Sequence, residues 1–304
     1  MGTACMNPAN QRRWKSELLD QTLLAFAADS DLRDKLIFKG ARILNLRLGE
    51  ECRQSLDIDT NLDFTFQQSH PDQQDRKAIL ESVIKAALLR HFNHQEPVRY
   101  AVEKVEVTPK PTALHPFGWD GFLAKAQIRD GKNAGVRGLP AIEIDVAAFE
   151  TLGPNAISKL EIQQDLWVRA YTLERIAGEK LRAFLSSLPA YLKKIGRRTD
   201  TARVKDLYDI VRIWKVKPIT ETAFWREAAN EFNLACESRF IDCVGIETFM
   251  ENEQMTAELF NNDPTLPKDI TFDLVKKALT EILDLFKEQQ WIPFEYPIIY
   301  SSPQ

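Results

Sequence analysis

The sequence contains little cysteine and no long apolar run. Its four cysteines, Cys5, Cys52, Cys236 and Cys243, form no C-x-x-C motif, so we expect neither a disulfide framework nor a structural zinc site. No apolar stretch approaches the roughly 20 residues that a membrane span needs. The first twenty residues also lack the apolar segment of a signal peptide. These absences predict a cytoplasmic protein with no membrane association.

The chain also lacks the G-x-x-x-x-G-K-[ST] phosphate loop of P-loop proteins. Its 44% hydrophobic and 28% charged residues are ordinary for a globular protein and exclude a wholly disordered chain. At roughly 150 residues per domain, a length of 304 residues suggests two domains.

Charge is distributed unevenly along the chain, although the net charge is only −4. Residues 180–217 contain eleven Lys or Arg and three Asp, a net charge of +8, whereas residues 218–304 carry −10. A solvated face is the ordinary interpretation of such a run. The excess also fits docking of an anionic partner, which would be a triphosphate, a nucleic acid or an acidic protein.

Hydrophobic periodicity predicts a mixed first half and a helical second half. In the first half, apolar residues recur at helical or strand spacing; in the second half the patterns are helical from about residue 155 to about 290. We therefore expect domains at 1–150 and 151–304. The predicted helices are 11–34, 42–48, 72–91, 172–188 and 201–214, and the predicted strands are 36–38, 56–66, 99–108, 121–129 and 141–149.

Two aspartates lie two residues apart on a predicted strand. The strand period places Asp57 and Asp59 on one face, where their negative charges repel unless a cation lies between them. Hard carboxylate oxygens suit Mg²⁺ or Mn²⁺, and a third acid from a neighbouring strand would complete a two-metal site. Residues 141–149 offer either Glu143 or Asp145 for this role. The alternative is that the D-x-D motif is simply the solvent-exposed face of a strand.

The residues around the acids suggest phosphate binding. Lys39 and Gly40 end one predicted strand and begin a helix, where free backbone N–H groups can hold phosphate. Arg53 and Ser55 directly precede the two aspartates.

Four segments resemble the AbiEii/AbiGii family of nucleotidyltransferases. They are KGARILNLRL, RQSLDID, YTLERIAGEKLRAFL and RRTDTARVKDLYDI, which occur in the family's order from about residue 36 to about 212. The resemblance implies an α+β fold: a polymerase-beta-like nucleotidyltransferase core, with a mixed sheet and helices, followed by an all-helical C-terminal domain that completes the active-site cleft. It also implies a toxin of a toxin–antitoxin or abortive-infection system, with a cognate antitoxin, that moves nucleotides from an NTP to an RNA acceptor such as the 3′ end of tRNA.

The resemblance assigns roles by position. Asp57, Asp59 and Asp145 would hold Mg²⁺, and Ser55 would meet the triphosphate together with Arg53, Lys39 and Gly40. Lys180 would bind phosphate during catalysis, and Asp206 and Asp209 would complete the far wall of the cleft. One departure is that Ala41 and Arg42 stand where the family has a second glycine and a hydroxyl, which would make the phosphate loop less permissive.

Several of these residues have structural alternatives. Lys180 would otherwise be a surface lysine of a helix, and Asp206 and Asp209 would be ion-pair partners of Lys205 and Arg212. For the acceptor RNA, the candidate phosphate ligands are Arg197, Arg198 and Arg203, and the alternative is a solvated loop.

Three functions remain open. The first is a metal-dependent nucleotidyltransferase toxin that modifies tRNA, which the basic segment favours. The second is a nucleotidyltransferase that acts on a protein or small-molecule hydroxyl. The third is a non-catalytic binding protein of the same fold, supported by Ala41 alone.

Overall fold

A computed structural model of the chain describes residues 6–50, 53–111, 120–133, 136, 138–194, 202–239, 241 and 247–292. The strands within these residues form a seven-stranded mixed sheet in the order β3-β4-β5-β2-β1-β7-β6. The β2–β5 and β1–β7 pairs are parallel, and the β1–β2, β3–β4 and β4–β5 pairs are antiparallel. The strands are β1 (Leu36–Lys39), β2 (Ile58–Leu62), β3 (Tyr100–Pro109), β4 (Phe122–Asp130), β5 (Ile142–Ala147), β6 (Ile157–Gln163) and β7 (Leu166–Tyr171).

Helices occur before, within and after the sheet segments. None of those in the described part of the chain is both long and apolar enough to cross a membrane. The helices are α1 (Pro8–Ala28), α2 (Ser30–Lys35), α3 (Gly40–Leu48), α4 (Phe64–Ser69), α5 (Gln73–Asn93), α6 (Leu173–Leu185), α7 (Pro189–Lys194), α8 (Val204–Val216), α9 (Thr222–Arg239), α10 (Glu247–Met250), α11 (Glu253–Asn262) and α12 (Phe272–Glu288).

The chain divides into two compact units whose segments alternate along the sequence. The sheet unit comprises Met1–Ile43, Gln54–Phe149 and Ser158–Ala170, and the helical unit comprises Leu44–Arg53, Glu150–Ile157 and Tyr171–Gln304. The sequence pattern predicted a single boundary at residue 150 instead. The same pattern predicted only helices beyond about residue 155 and did not reveal β6 and β7. Only Leu160 is buried in β6, so this strand lacks the alternation that reveals the others.

Local capping explains two further differences from the predicted elements. The predicted helix 11–34 is broken at Asp29, whose Oδ1 accepts a hydrogen bond from the Leu32 N–H at 3.1 Å and begins α2. The predicted strand 56–66 ends at Leu62 because Asp63 Oδ1 accepts from the Thr65 N–H at 2.8 Å and begins α4. Aspartate is a preferred N-cap, the residue directly before the first helical one, for this reason.

Strand β5 contributes one face to the core of the sheet unit and carries charged residues on the other. In β5, Ile142, Ile144 and Val146 are fully buried, and α1 and α5 pack in this unit against β5 and β3 respectively. The alternate residues Glu143 and Asp145 are only partly buried. The strand period thus gives β5 one apolar face and one acidic face.

The core of the helical unit is built on α6, which contacts α8 and α9. The contact with α9 is close at Gly178, where a Cβ would lie 2.5 Å from the backbone nitrogen of Phe232. This glycine therefore permits two helix backbones to approach more closely than any side chain would allow. The α8 helix packs in turn on α11 and α12.

Candidate active site

The strand register aligns three of the predicted site residues across the sheet. Asp59 on β2 is the Cα partner of Lys39 on antiparallel β1 and of Asp145 on parallel β5. Neighbouring strands lie about 4.8 Å apart, and residues aligned across them share a face. Of the two acids that the sequence offered on β5, the register places Asp145, and not Glu143, opposite Asp59.

A glycine turn lies directly against the Asp59 carboxylate. The chain passes from β1 into α3 at Gly40, which has a φ of +79°. A Cβ at this position would lie 2.0 Å from Asp59 Oδ2 and 2.8 Å from Asp59 Cβ. Only glycine satisfies both constraints, because it lacks a Cβ and tolerates positive φ. The N-terminus of α3, whose first N–H groups have no partner within the helix, is thus next to Asp59.

Asp57 lies just before β2 and is held by local hydrogen bonds. The hydroxyl of Ser55 donates to Asp57 Oδ1 at 2.9 Å. The carbonyl of Ser55 accepts from Arg42 Nη2 at 2.9 Å, and Arg42 Nη1 also pairs with Asp20. Arg42 is largely buried. Arg42, which stands where the family has a hydroxyl, therefore holds the segment that carries Ser55 and Asp57 in place.

The third acid has a cationic partner from the same unit. The ammonium of Lys110 forms an ion pair with Asp145 Oδ2, and its backbone N–H donates to the carbonyl of Gly121 at 2.8 Å. The Lys110 side chain is 51% exposed and that of Asp145 is 33% exposed. No three His, Cys, Asp or Glu side chains of the described residues form a group that would hold a metal ion.

Gly40→Ala is expected to destabilise the protein and to displace Asp59. A left-handed conformation costs an L-residue about 1–2 kcal/mol, and forcing a methyl group into a filled site adds about 1–3 kcal/mol. The free energy of unfolding in urea measures the sum. The matched control is Gly138→Ala, because Gly138 has a φ of +75° but nothing within 4 Å of the added Cβ. Equal losses in the two variants would contradict the steric role of Gly40.

The predicted site residues of the helical unit form a buried network of charges. Lys180 Nζ lies 2.6 Å from Asp206 Oδ1 and 2.9 Å from Asp209 Oδ2. Arg53 donates two hydrogen bonds to the Asp209 carboxylate, one of 2.8 Å from Nε and one of 2.5 Å from Nη2. Arg203, whose side chain is exposed, pairs with Asp206. We call these five residues the buried charge cluster.

The cluster keeps its members ionised. Burial raises the pKa of both aspartates, but the positive charge of Lys180, with Arg203 beside Asp206 and Arg53 beside Asp209, shifts each pKa below its ordinary value. Burial lowers the pKa of Lys180, but the two carboxylates raise it above its ordinary value. Opposite charges thus outweigh desolvation at all three groups.

These contacts test whether Lys180 is a surface lysine and whether Asp206 and Asp209 pair with Lys205 and Arg212. Lys180 is 8% exposed and is not a surface lysine. Asp206 and Asp209 do form ion pairs, but the expected partners Lys205 and Arg212 are wrong. Arg212 instead donates to Asn45 Oδ1 at 2.7 Å and to the Glu50 carbonyl at 3.1 Å.

The segment therefore presents less charge to a partner than its sequence suggests. Lys180 and Arg212 are buried, whereas Lys193, Lys205 and Lys215 are exposed. Arg197 and Arg198 lie outside the described residues.

Each unit brings together one set of predicted residues. The sheet unit holds Lys39, Gly40, Ser55, Asp57, Asp59 and Asp145, and the helical unit holds Arg53, Lys180, Arg203, Asp206 and Asp209. Sequence reasoning missed the contacts of Arg42 and Lys110. A signal existed for Arg42, which replaces a family hydroxyl, but the partner of Lys110 depends on strand pairing.

The mixed sheet, its aligned acids and the accompanying helices are consistent with a nucleotidyltransferase core and a helical C-terminal region. Residues 21–298 match the family model described as nucleotidyl transferase AbiEii toxin, type IV TA system. The chain belongs to this family, as the resemblance of its motifs predicted, and the expected fold class is confirmed. The family consists of toxins that have a cognate antitoxin as partner. No match was found among curated proteins.

Proposed function

We propose that the protein is a cytoplasmic, Mg²⁺- or Mn²⁺-dependent nucleotidyltransferase toxin that adds nucleotides from an NTP to RNA, at the 3′ ends of tRNA, and so blocks translation. The observation that carries the proposal is the alignment of Asp59 with Asp145, with the Asp59 carboxylate against the glycine turn of α3. This arrangement places two carboxylates beside the N-terminus of α3, where a metal ion and a triphosphate would meet opposite charges.

Two carboxylates of the sheet unit are aligned so that they could share a divalent cation. Asp59 and Asp145 are in register on neighbouring strands, and the Lys110 ammonium already provides a positive charge at the Asp145 carboxylate. Together with Asp57, the carboxylates of Asp59 and Asp145 would supply the hard oxygen ligands that Mg²⁺ prefers. The bound metal would neutralise phosphate charge and lower the pKa of the attacking hydroxyl.

The reaction is a phosphoryl-type transfer in which the protein mainly aligns groups and neutralises charge. The acceptor hydroxyl oxygen forms a bond to the α-phosphorus of the NTP, the bond from that phosphorus to the bridging oxygen breaks, and pyrophosphate leaves. The hydroxyl proton passes to water. In this scheme the N–H groups of α3, with Lys39 and Ser55, bind the donor phosphates.

The buried charge cluster supports a phosphate-binding role for Lys180 and Arg53. Asp206 and Asp209 hold both cations in place through ion pairs. Cations fixed in this way attract an anion without reorganisation of their side chains.

The discriminating experiment is to incubate purified protein with total RNA, Mg²⁺ and each labelled NTP in turn. Label on tRNA-sized bands, absent with Asp59→Asn, is the expected result. Label on protein or small molecules would support a nucleotidyltransferase that acts on a protein or small-molecule hydroxyl. No label on any acceptor, together with no metal-dependent NTP binding, would favour a non-catalytic binding protein of the same fold.

Substitution of Arg197, Arg198 and Arg203 by glutamine is expected to weaken RNA binding and to reduce its salt dependence. Each lost phosphate contact should lower the slope of log affinity against log salt by about 0.7 for single-stranded RNA. NTP binding, measured by calorimetry, should change little. Arg226→Gln is the control, because Arg226 is exposed but lies outside the basic segment. An unchanged slope in the triple variant would exclude these arginines as RNA ligands.

A further inference from the structure

Two lysines of the sheet unit form ion pairs with the two acids of β5. Lys110 pairs with Asp145, and Lys125 pairs with Glu143 at 3.1 Å. The lysine side chains are 51% and 50% exposed, and the acids are 33% and 40% exposed. Lys125 is also the register partner of Glu143. The two pairs are therefore closely matched, and only one of them involves an acid aligned with Asp59.

We propose that Lys110 is a built-in counter-ion of Asp145 that competes with the divalent cation for this carboxylate and is released when the metal binds. The inference rests on the metal-binding part of the proposed function. It assigns a role to a residue that is not itself a metal ligand.

The Asp145 carboxylate already has a cationic partner. Asp59 and Asp145 are in register, yet no three acids, histidines or cysteines of the described chain are grouped to hold a metal. The Asp145 carboxylate is instead engaged by Lys110. An ammonium and a divalent cation at the same carboxylate repel each other, so full use of Asp145 by the metal requires the ion pair to open.

The Lys110 side chain can leave Asp145 at small cost. A half-exposed ion pair contributes little stability, so a divalent cation displaces it at small cost. The backbone of Lys110 is fixed through its hydrogen bond to the Gly121 carbonyl, whereas its four-carbon side chain is flexible. The ammonium is thus kept near Asp145 but is free to leave it.

The test measures Mn²⁺ binding to the full chain by electron paramagnetic resonance, without nucleotide. Lys110→Met keeps the apolar part of the side chain and removes the charge. It should tighten Mn²⁺ binding about 2- to 5-fold, the range that follows from the strength of an exposed ion pair. Lys125→Met should leave the affinity unchanged, which separates competition at Asp145 from a general effect of surface charge.

A double-mutant cycle completes the test. In an Asp145→Asn background, Lys110→Met should no longer tighten Mn²⁺ binding. If the wild type binds Mn²⁺ but Lys110→Met binds no tighter, or tightens equally in the Asp145→Asn background, the role of Lys110 is overturned while the metal site stands. If no variant binds Mn²⁺, with or without NTP, both the role of Lys110 and the metal dependence are overturned.

Discussion

Asp59→Asn is expected to reduce nucleotide transfer at least about 10³-fold and to abolish growth inhibition. The substitution keeps the shape of the side chain but removes the negative charge, and metal coordination contributes several kcal/mol to transition-state stabilisation. Asp57→Ala should have a similar effect. Incorporation of labelled nucleotide and growth of cells that express each variant measure the two outcomes.

The fold should survive these substitutions. Asparagine keeps the shape of the Asp59 side chain, which lies against Gly40, so the free energy of unfolding without metal should change little in Asp59→Asn. Glu143→Gln is the control, because Glu143 shares the exposed face of β5 with Asp145 but is not aligned with Asp59. Toxicity that persists in Asp57→Ala or Asp59→Asn would refute the metal assignment.

Asp209→Ala is expected to lower the free energy of unfolding by about 3–5 kcal/mol. The substitution removes one of the two carboxylates that pair with Lys180 and the carboxylate that accepts two hydrogen bonds from Arg53, and removal of one partner from a buried ion pair carries a penalty of this size. Urea unfolding of the full chain measures the loss. Asp284→Ala should be nearly neutral, because Asp284 is an exposed residue of α12.

The pH dependence supplies a second readout for the same variant. Burial raises and nearby cations lower the pKa of Asp209, and the net shift is downward. A depressed pKa contributes stability above the unfolded value, about 3.9, and that stability is lost as the pH falls through the folded value. Asp209→Ala should therefore lose less stability than the wild type on acidification below about pH 4. Parallel acid profiles for the two proteins would show that Asp209 is not held ionised by its neighbours.

Local patterns in the sequence carry much of the candidate site. The spacing of Asp57 and Asp59 and the position of Gly40 require only neighbouring residues to interpret. The alternation in β4 and β5 likewise follows from the pleat of a strand. The starts of α2 and α4 were missed, although Asp29 and Asp63 are residues that commonly begin helices.

Long-range contacts decided the rest. The choice of Asp145 over Glu143 depends on which residue of β5 pairs with Asp59. Asp59 lies 86 positions before Asp145 in the sequence, so no local pattern encodes this pairing. Lysine favours the surface by its chemistry, so the burial of Lys180 follows only from the approach of Asp206 and Asp209 on α8.

The sequence by itself determined the family, the alternating acidic face and the glycine turn, because these depend on residue types at short, fixed spacings. The tertiary structure alone decided that the segments of the two units interleave, that β6 and β7 join the sheet, and that Lys110 pairs with Asp145. The physical reason is that strand pairing and ion pairing join residues distant in sequence, whose partners are fixed only when the chain packs.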